Sequence, residues 1–172
     1  YAVTEESSGA ITSDTDYAVY GDLGQVAPGN VDTAQTTTIV SAGDHDLTGT
    51  TLDVGSSEVS LVAADGTTAE NVTVTIDQAA VDVTAGISDL TISGITFDGD
   101  ASTITTTTNT INGLTITDNR FVGLASTAID ANGDTLNSVD ISGNFFAPAA
   151  DGGSDYQAVN INDIADPGDG ND

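Results

Sequence analysis

Three segments of this chain align with one another without a gap, and no other feature restricts its fold so tightly. They are Leu90-Thr-Ile-Ser-Gly-Ile-Thr-Phe-Asp-Gly99, Leu114-Thr-Ile-Thr-Asp-Asn-Arg-Phe-Val-Gly123 and Val139-Asp-Ile-Ser-Gly-Asn-Phe-Phe-Ala-Pro148, with starts 24 and 25 residues apart. The apolar positions agree in every copy: Leu90/Leu114/Val139, Ile92/Ile116/Ile141 and Phe97/Phe121/Phe146. Between them stand Thr91/Thr115/Asp140 and Ser93/Thr117/Ser142, all small or polar. A two-residue period is the signature of a strand. A helix needs a period of 3.6 and better helix formers than Thr and Gly. Short strands recurring every 24 residues or so describe a coiled solenoid, in which each turn stacks about 4.8 Å above the last. Like then lies on like. Leu, Ile and Phe form inner ladders, and Asn119 and Asn144 stack at the bend between two strands. An Asn in that place bonds its own turn's backbone and its neighbour's side chain. The first copy has Ile95 there, which shortens the ladder.

The motifs Leu-Thr-Ile-Thr-Asp-Asn-Arg-Phe (114–121) and Val-Asp-Ile-Ser-Gly-Asn-Phe-Phe (139–146) are each followed by a further short strand, Ala128-Ile-Asp and Ala158-Val-Asn-Ile. Upstream, Thr38-Ile-Val-Ser-Ala-Gly-Asp-His-Asp-Leu and Val59-Ser-Leu-Val-Ala-Ala-Asp-Gly look like opening turns. Over about residues 36–166 the chain resembles the parallel β-helix repeat of the pectate-lyase-like superfold. The resemblance implies an all-β, right-handed parallel β-helix. At about 24 residues per turn this stretch makes about five to six turns. Strands are predicted at 37–41, 50–54, 58–63, 71–77, 80–84, 89–97, 102–108, 113–121, 127–131, 138–146 and 157–162. Residues 149–156 read as an inserted, exposed loop. Residues 1–35 hold three of the four Tyr and no repeat, and read as an N-terminal cap or arm. Residues 167–172 read as an acidic tail.

The charge limits the partners. With 27 acids against a single Arg, the formal charge is −26. Such a chain cannot present the basic face that releases counterions from nucleic acid. The absence of Cys excludes disulfides and thiol chemistry. No apolar run approaches the roughly 18 residues of a membrane span, so no membrane insertion is expected. Disorder is the first reading for so acidic a chain, but the alternation of Val, Ile and Leu with Thr, Ser and Asp argues for a folded body. Neighbouring carboxylates still repel at about 0.15 M salt, where screening extends about 8 Å. Water rich in salt or divalent cations suits such a surface, so a marine or otherwise saline habitat is expected. The chain starts at Tyr1 and contains no Met, which is expected of a processed product or a fragment.

Many proteins of the resembled superfold cleave acidic polysaccharides, the lyases with an Arg or Lys base and commonly calcium, the hydrolases with clustered Asp. Here a polyanionic surface repels polyanionic sugars. The single Arg, Arg120, is expected to pair with an Asp on its own turn. His45, in Asp44-His45-Asp46, is the sole His and is expected on a solvated turn. The remaining chemistry is carboxylate. Candidate calcium ligands are Asp98 and Asp100 in one cluster and Asp166, Asp169 and Asp172 in another, because Asp/Asn/Gly turns supply the six to eight oxygens calcium takes. Neither cluster carries the full EF-hand pattern. Asn71-Val-Thr73 is a sequon, making Asn71 a candidate glycosylation site. The Thr/Ser rows form only a broken version of the Thr faces found on ice-binding β-helices.

The function expected is that of a non-catalytic structural subunit of an extracellular filament or cell-surface layer. It would self-assemble as a homopolymer through β-helix ends and the N-terminal arm, since such ends expose unpaired strand edges. The alternatives are a calcium-stabilised adhesin or binding module of a larger surface protein, with glycans as possible partners, and a polysaccharide lyase or hydrolase.

Overall fold

The computed structural model describes residues 17–20, 37–49, 51–54, 59–83, 85–101, 103–106, 110–131, 135–150 and 156–161. All regular structure there is strand apart from one 3-10 turn, Ala69–Asn71. After β1 (Tyr17–Tyr20), the first coil carries β2 (Thr37–Val40), β3 (Gly43–Asp46) and β4 (Leu52–Val54). The second carries β5 (Val59–Ala63), β6 (Val72–Thr75) and β7 (Val81–Val83). The third carries β8 (Leu90–Ser93), β9 (Thr96–Asp98), β10 (Ile104–Thr106) and β11 (Thr110–Ile111). The fourth carries β12 (Leu114–Thr117), β13 (Arg120–Leu124), β14 (Ile129–Ala131) and β15 (Thr135–Leu136). The last carries β16 (Val139–Ser142), β17 (Phe145–Pro148) and β18 (Val159–Ile161).

Every pairing is parallel and joins a strand to its counterpart one coil away. One sheet runs β1-β2-β5-β8-β12-β16, a second β3-β6-β9-β13-β17, a third β4-β7-β10-β14-β18, and β11-β15 makes a narrow fourth side. The chain is therefore a parallel β-solenoid. Four full turns separate β2 from β16, which is fewer than the five to six expected from the repeat length. Part of the difference is the irregular second coil, whose corner between β5 and β6 swells to a loop, Ala64–Asn71. The expected strand at 102–108 is confined to Ile104–Thr106, and Ser102 and residues 107–109 lie outside the described residues.

The ladders fall as the repeat demands. Leu114 pairs with Leu90 and Val139, Ile116 with Ile92 and Ile141, and Phe121 with Phe97 and Phe146. The alternation sends Leu90, Ile92, Leu114 and Ile116 inward, where they are at most 1% exposed. Fully burying an aliphatic or Phe side chain is worth about 1.5–3 kcal/mol, so each coil adds to one continuous shaft. The rings of Phe97 and Phe121 stack at 5.6 Å and those of Phe121 and Phe146 at 5.0 Å, within about 11° of parallel. Thr, Ser and Asp take the outward positions, where β-branching still suits the strand.

Left-handed residues bracket the strands of the first sheet. Asp89 (φ 60°) precedes β8, and Ser138 (φ 62°) precedes β16; Gly94 (75°), Asp118 (56°) and Gly143 (68°) follow β8, β12 and β16. Gly, Asp and other short polar residues tolerate that conformation best. The recurring Gly and Asp of the repeat are therefore corner residues.

Candidate functional site

At the corner between the first and second sheets, the strand-to-strand bend is two residues in the upper coils, such as Gly94-Ile95 and Asp118-Asn119. In the second coil the longer Ala64–Asn71 loop overhangs this corner. Between loop and corner lies an open groove of about 700 Å³, lined by Asp65, Glu70, Asp118, Asn119, Arg120 and Phe145, among others. Its floor is held by the asparagine ladder. Asn119 is 1% exposed. Its Oδ1 accepts the Ile95 N–H at 3.1 Å, and its Nδ2 donates to the Ile92 carbonyl at 2.8 Å and to Asn144 Oδ1 at 3.2 Å. Asn144 repeats the scheme one coil higher, accepting from the Asn119 N–H at 3.0 Å and donating to the Ile116 carbonyl at 2.6 Å. The expected bond to the neighbour's side chain is present, but each amide bonds the backbone of the coil beneath it where its own turn's backbone was expected. A bend places the side chain over the preceding coil's corner, where unpaired backbone groups await it.

Arg120 takes a different partner from the one expected. Its register column is Thr73, Thr96, Arg120 and Phe145. From there Nη1 reaches Glu70 Oε1 at 3.5 Å, while the guanidinium lies 4.7 Å from the centroid of the Phe145 ring. Glu70 belongs to the second-coil loop and Phe145 to the last coil, so one side chain spans the height of the groove. The Glu70 side chain is 75% exposed, so the ion pair contributes at most about 1 kcal/mol. A stacked cation adds about 0.5–1 kcal/mol at an exposed site. Phe145, at 49%, is the exposed large hydrophobic residue among those described. Its adjacency to Arg120 was visible in the repeat alignment. Glu70 was not, because it sits in the loop that breaks the period.

His45 corrects another expectation. It lies on β3, stacked under Val74 and the Phe97 column, and is 2% exposed. Its Nε2 donates to the Ser41 carbonyl at 2.9 Å. Asp44 and Asp46 on either side face outward, as strand alternation requires. The His is a core residue that closes the lower end of the aromatic column, with its ring nitrogen bonded to backbone.

The candidate calcium ligands are only partly placed. Asp98 ends β9 and Asp100 lies in the following turn, both exposed. Asp166, Asp169 and Asp172 lie outside the described residues. Among the described residues, no group of three or more His, Asp or Glu side chains gathers in metal-binding geometry. Many carboxylates instead accept local hydrogen bonds. Asp77 takes the Gly49 N–H at 2.7 Å, Asp82 the Thr105 hydroxyl at 2.9 Å, and Asp130 the Asn160 amide at 3.0 Å. Hydrogen bonds from the Thr48 hydroxyl and backbone N–H hold the Asp46 carboxyl below its ordinary value of 3.8. These donors offset part of the repulsion that a charge of −26 creates.

Asn71 is exposed at the end of the loop, its Nδ2 donating to Thr68 Oγ1 at 3.1 Å. Tyr156, expected on an exposed loop, is instead partly buried against the core. Comparison with known proteins returns no matching family model, no matching curated protein and no matching solved structure, so the architecture is established by the strand register itself.

Proposed function

We propose that the chain is a non-catalytic structural subunit of an extracellular filament or cell-surface layer, self-assembling through the solenoid ends and the N-terminal arm. The single supporting observation is the loss of burial at the last coil. Val139, Ile141, Phe146, Val159 and Ile161 are only partly buried, while their counterparts one coil below are at most 1% exposed. An apolar face whose strand edges have no partner among the described residues invites a further layer of β-structure. The acidic surface fits the saline surroundings such a subunit would meet. On this reading the likeness to pectate-lyase-like domains is one of architecture alone.

Electron microscopy and light scattering of the native material test the proposal. Filaments, lattices or discrete oligomers support it, and monodisperse monomers across salt and calcium concentrations refute it. A calcium-stabilised adhesin or binding module is the second reading, favoured by the open groove beside Phe145. It predicts saturable binding to a glycan array that is lost in Phe145→Ala. Polysaccharide cleavage has less support, because the Arg120 guanidinium already serves Glu70 and Phe145. Turnover on a polysaccharide panel that vanishes in Arg120→Ala would reinstate it.

A further inference from the structure

Two corners of the solenoid carry stacked asparagines, and their hydrogen bonds differ. At the corner between the first and second sheets, Asn119 and Asn144 donate their amide nitrogens to the Ile92 and Ile116 carbonyls. The backbone N–H that follows each is also taken, Arg120 N–H by the Ile95 carbonyl and Phe145 N–H by that of Asn119, both at 2.9 Å. At the corner between β11 and β12, Asn112 is exposed. Its own N–H donates to the Ile87 carbonyl at 3.0 Å, and its Oδ1 accepts from Asn137 Nδ2 at 2.7 Å. The next residue is Gly113, whose N–H has no partner among the described residues.

The fold asks for glycine at 113. Its φ is 157°, and a Cβ there would stand 2.4 Å from Asp89 Oδ1 and 3.2 Å from the Asp89 backbone nitrogen in the coil beneath. The same missing side chain leaves the Gly113 nitrogen unshielded beside the Asn112 amide carbon. Asp98-Gly99 shows the opposite arrangement, with the Gly99 N–H held by the Val122 carbonyl at 3.1 Å.

We propose that Asn112 cyclises onto the Gly113 nitrogen in the folded chain, making this corner a site of spontaneous deamidation with Asn137 as donor to the reacting oxygen. The Gly113 nitrogen gives its proton to solvent and bonds to Asn112 Cγ. The bond from Cγ to Nδ2 breaks, and Nδ2 takes up a proton and leaves as ammonia, so a cyclic imide remains. Water then opens the imide at either carbonyl, giving aspartate or isoaspartate, and no other reagent is consumed. Negative charge gathers on Oδ1 as Cγ becomes tetrahedral. Asn137 Nδ2 already donates to that oxygen, and a donor in place before the charge develops stabilises it without reorganisation. Nucleophile and carbon belong to neighbouring residues, so no encounter has to be organised. The product carries an added negative charge. Its isoaspartate form also lengthens the backbone by a methylene between β11 and β12, whose registers are set against β15 and β16. The reaction belongs to one corner and does not depend on self-assembly.

The test ages the full folded chain in mildly alkaline buffer at high salt, then digests it with pepsin at acid pH, where imide formation is slow. Mass spectrometry reads each asparagine for exchange of its amide for a carboxyl. Electron-transfer fragmentation separates isoaspartate, which the imide route alone produces. Asn112 is expected to convert, with isoaspartate in its place, at a rate within about tenfold of its rate in the urea-unfolded chain. Asn119 and Asn144, with their amides and the following N–H groups bonded, are expected to fall about a hundredfold or more below their unfolded rates. Asn137→Ala should slow conversion at Asn112 about tenfold. A merely structural role would loosen the corner and speed conversion, so an equal or faster rate in that variant would overturn the part given to Asn137. Protection of Asn112 as strong as that of Asn119, or conversion to aspartate alone, would overturn the proposal.

Discussion

Replacing Asn119 with Ala tests the principle on which the coils are registered. Truncation removes three hydrogen bonds of 3.1, 2.8 and 3.2 Å. It leaves the Ile95 N–H and the Ile92 carbonyl without that partner, at a position 1% exposed where water has little access. Each buried polar group left unpaired costs about 1–3 kcal/mol. The expected loss is about 3 kcal/mol, or a fall in Tm of roughly 6–12 °C for a chain of this size. Asn144 makes the same kind of bonds but is only partly buried. Water can replace what it loses, so Asn144→Ala should cost about 1 kcal/mol. Urea unfolding followed by far-ultraviolet circular dichroism at fixed high salt measures both, with an unchanged m-value as the condition for comparing them. Because a solenoid couples mainly nearest neighbours, amide exchange at Ile95 should accelerate more than exchange in β5 or β6. A loss below about 1 kcal/mol for Asn119→Ala would mean that the apolar ladders alone set the register, and an equal loss at the two positions would refute the part given to burial.

Thr106 lies inward on β10 in line with Val83, and among the described residues its buried hydroxyl has no partner. Thr106→Val should therefore raise stability by about 1 kcal/mol in the same urea assay, and a loss would show that the hydroxyl is satisfied in solution. Gly143 adopts φ 68°, and a Cβ there would meet the Asp118 carboxylate. The carboxylate can swing into solvent, so Gly143→Ala should cost mainly the left-handed backbone term of about 1–2 kcal/mol, read as a shift in thermal midpoint. Burial raises the Tyr156 phenol above its ordinary value of 10.0. The folded state thus favours the protonated form, and the stability this supplies is present below pH 10 and lost as pH rises through the folded value. Tyr156→Phe should flatten the decline of the urea midpoint across pH ~9 to ~11.5, and an unchanged slope would refute the assignment.

The period of the repeat was enough to name the solenoid, because parallel stacking converts a fixed spacing along the chain into vertical contact. The columns of Leu90, Ile92 and Phe97 with their successors, and the pairing of Asn119 with Asn144, follow from that arithmetic alone. So does the inward and outward alternation along β8 and β12. What the period could not supply depends on the places that depart from it. The loop at Ala64–Asn71 has no counterpart in the other coils, so neither Glu70 as the partner of Arg120 nor the groove beneath it was legible. His45 carries no repeat consensus around it, and only its register against Val74 turns it into the core. The partial exposure of Val139, Ile141 and Phe146 is likewise invisible in a sequence whose copies look alike. Position within a stack is a property of the whole molecule, and a repeated motif carries no mark of whether another layer lies above it.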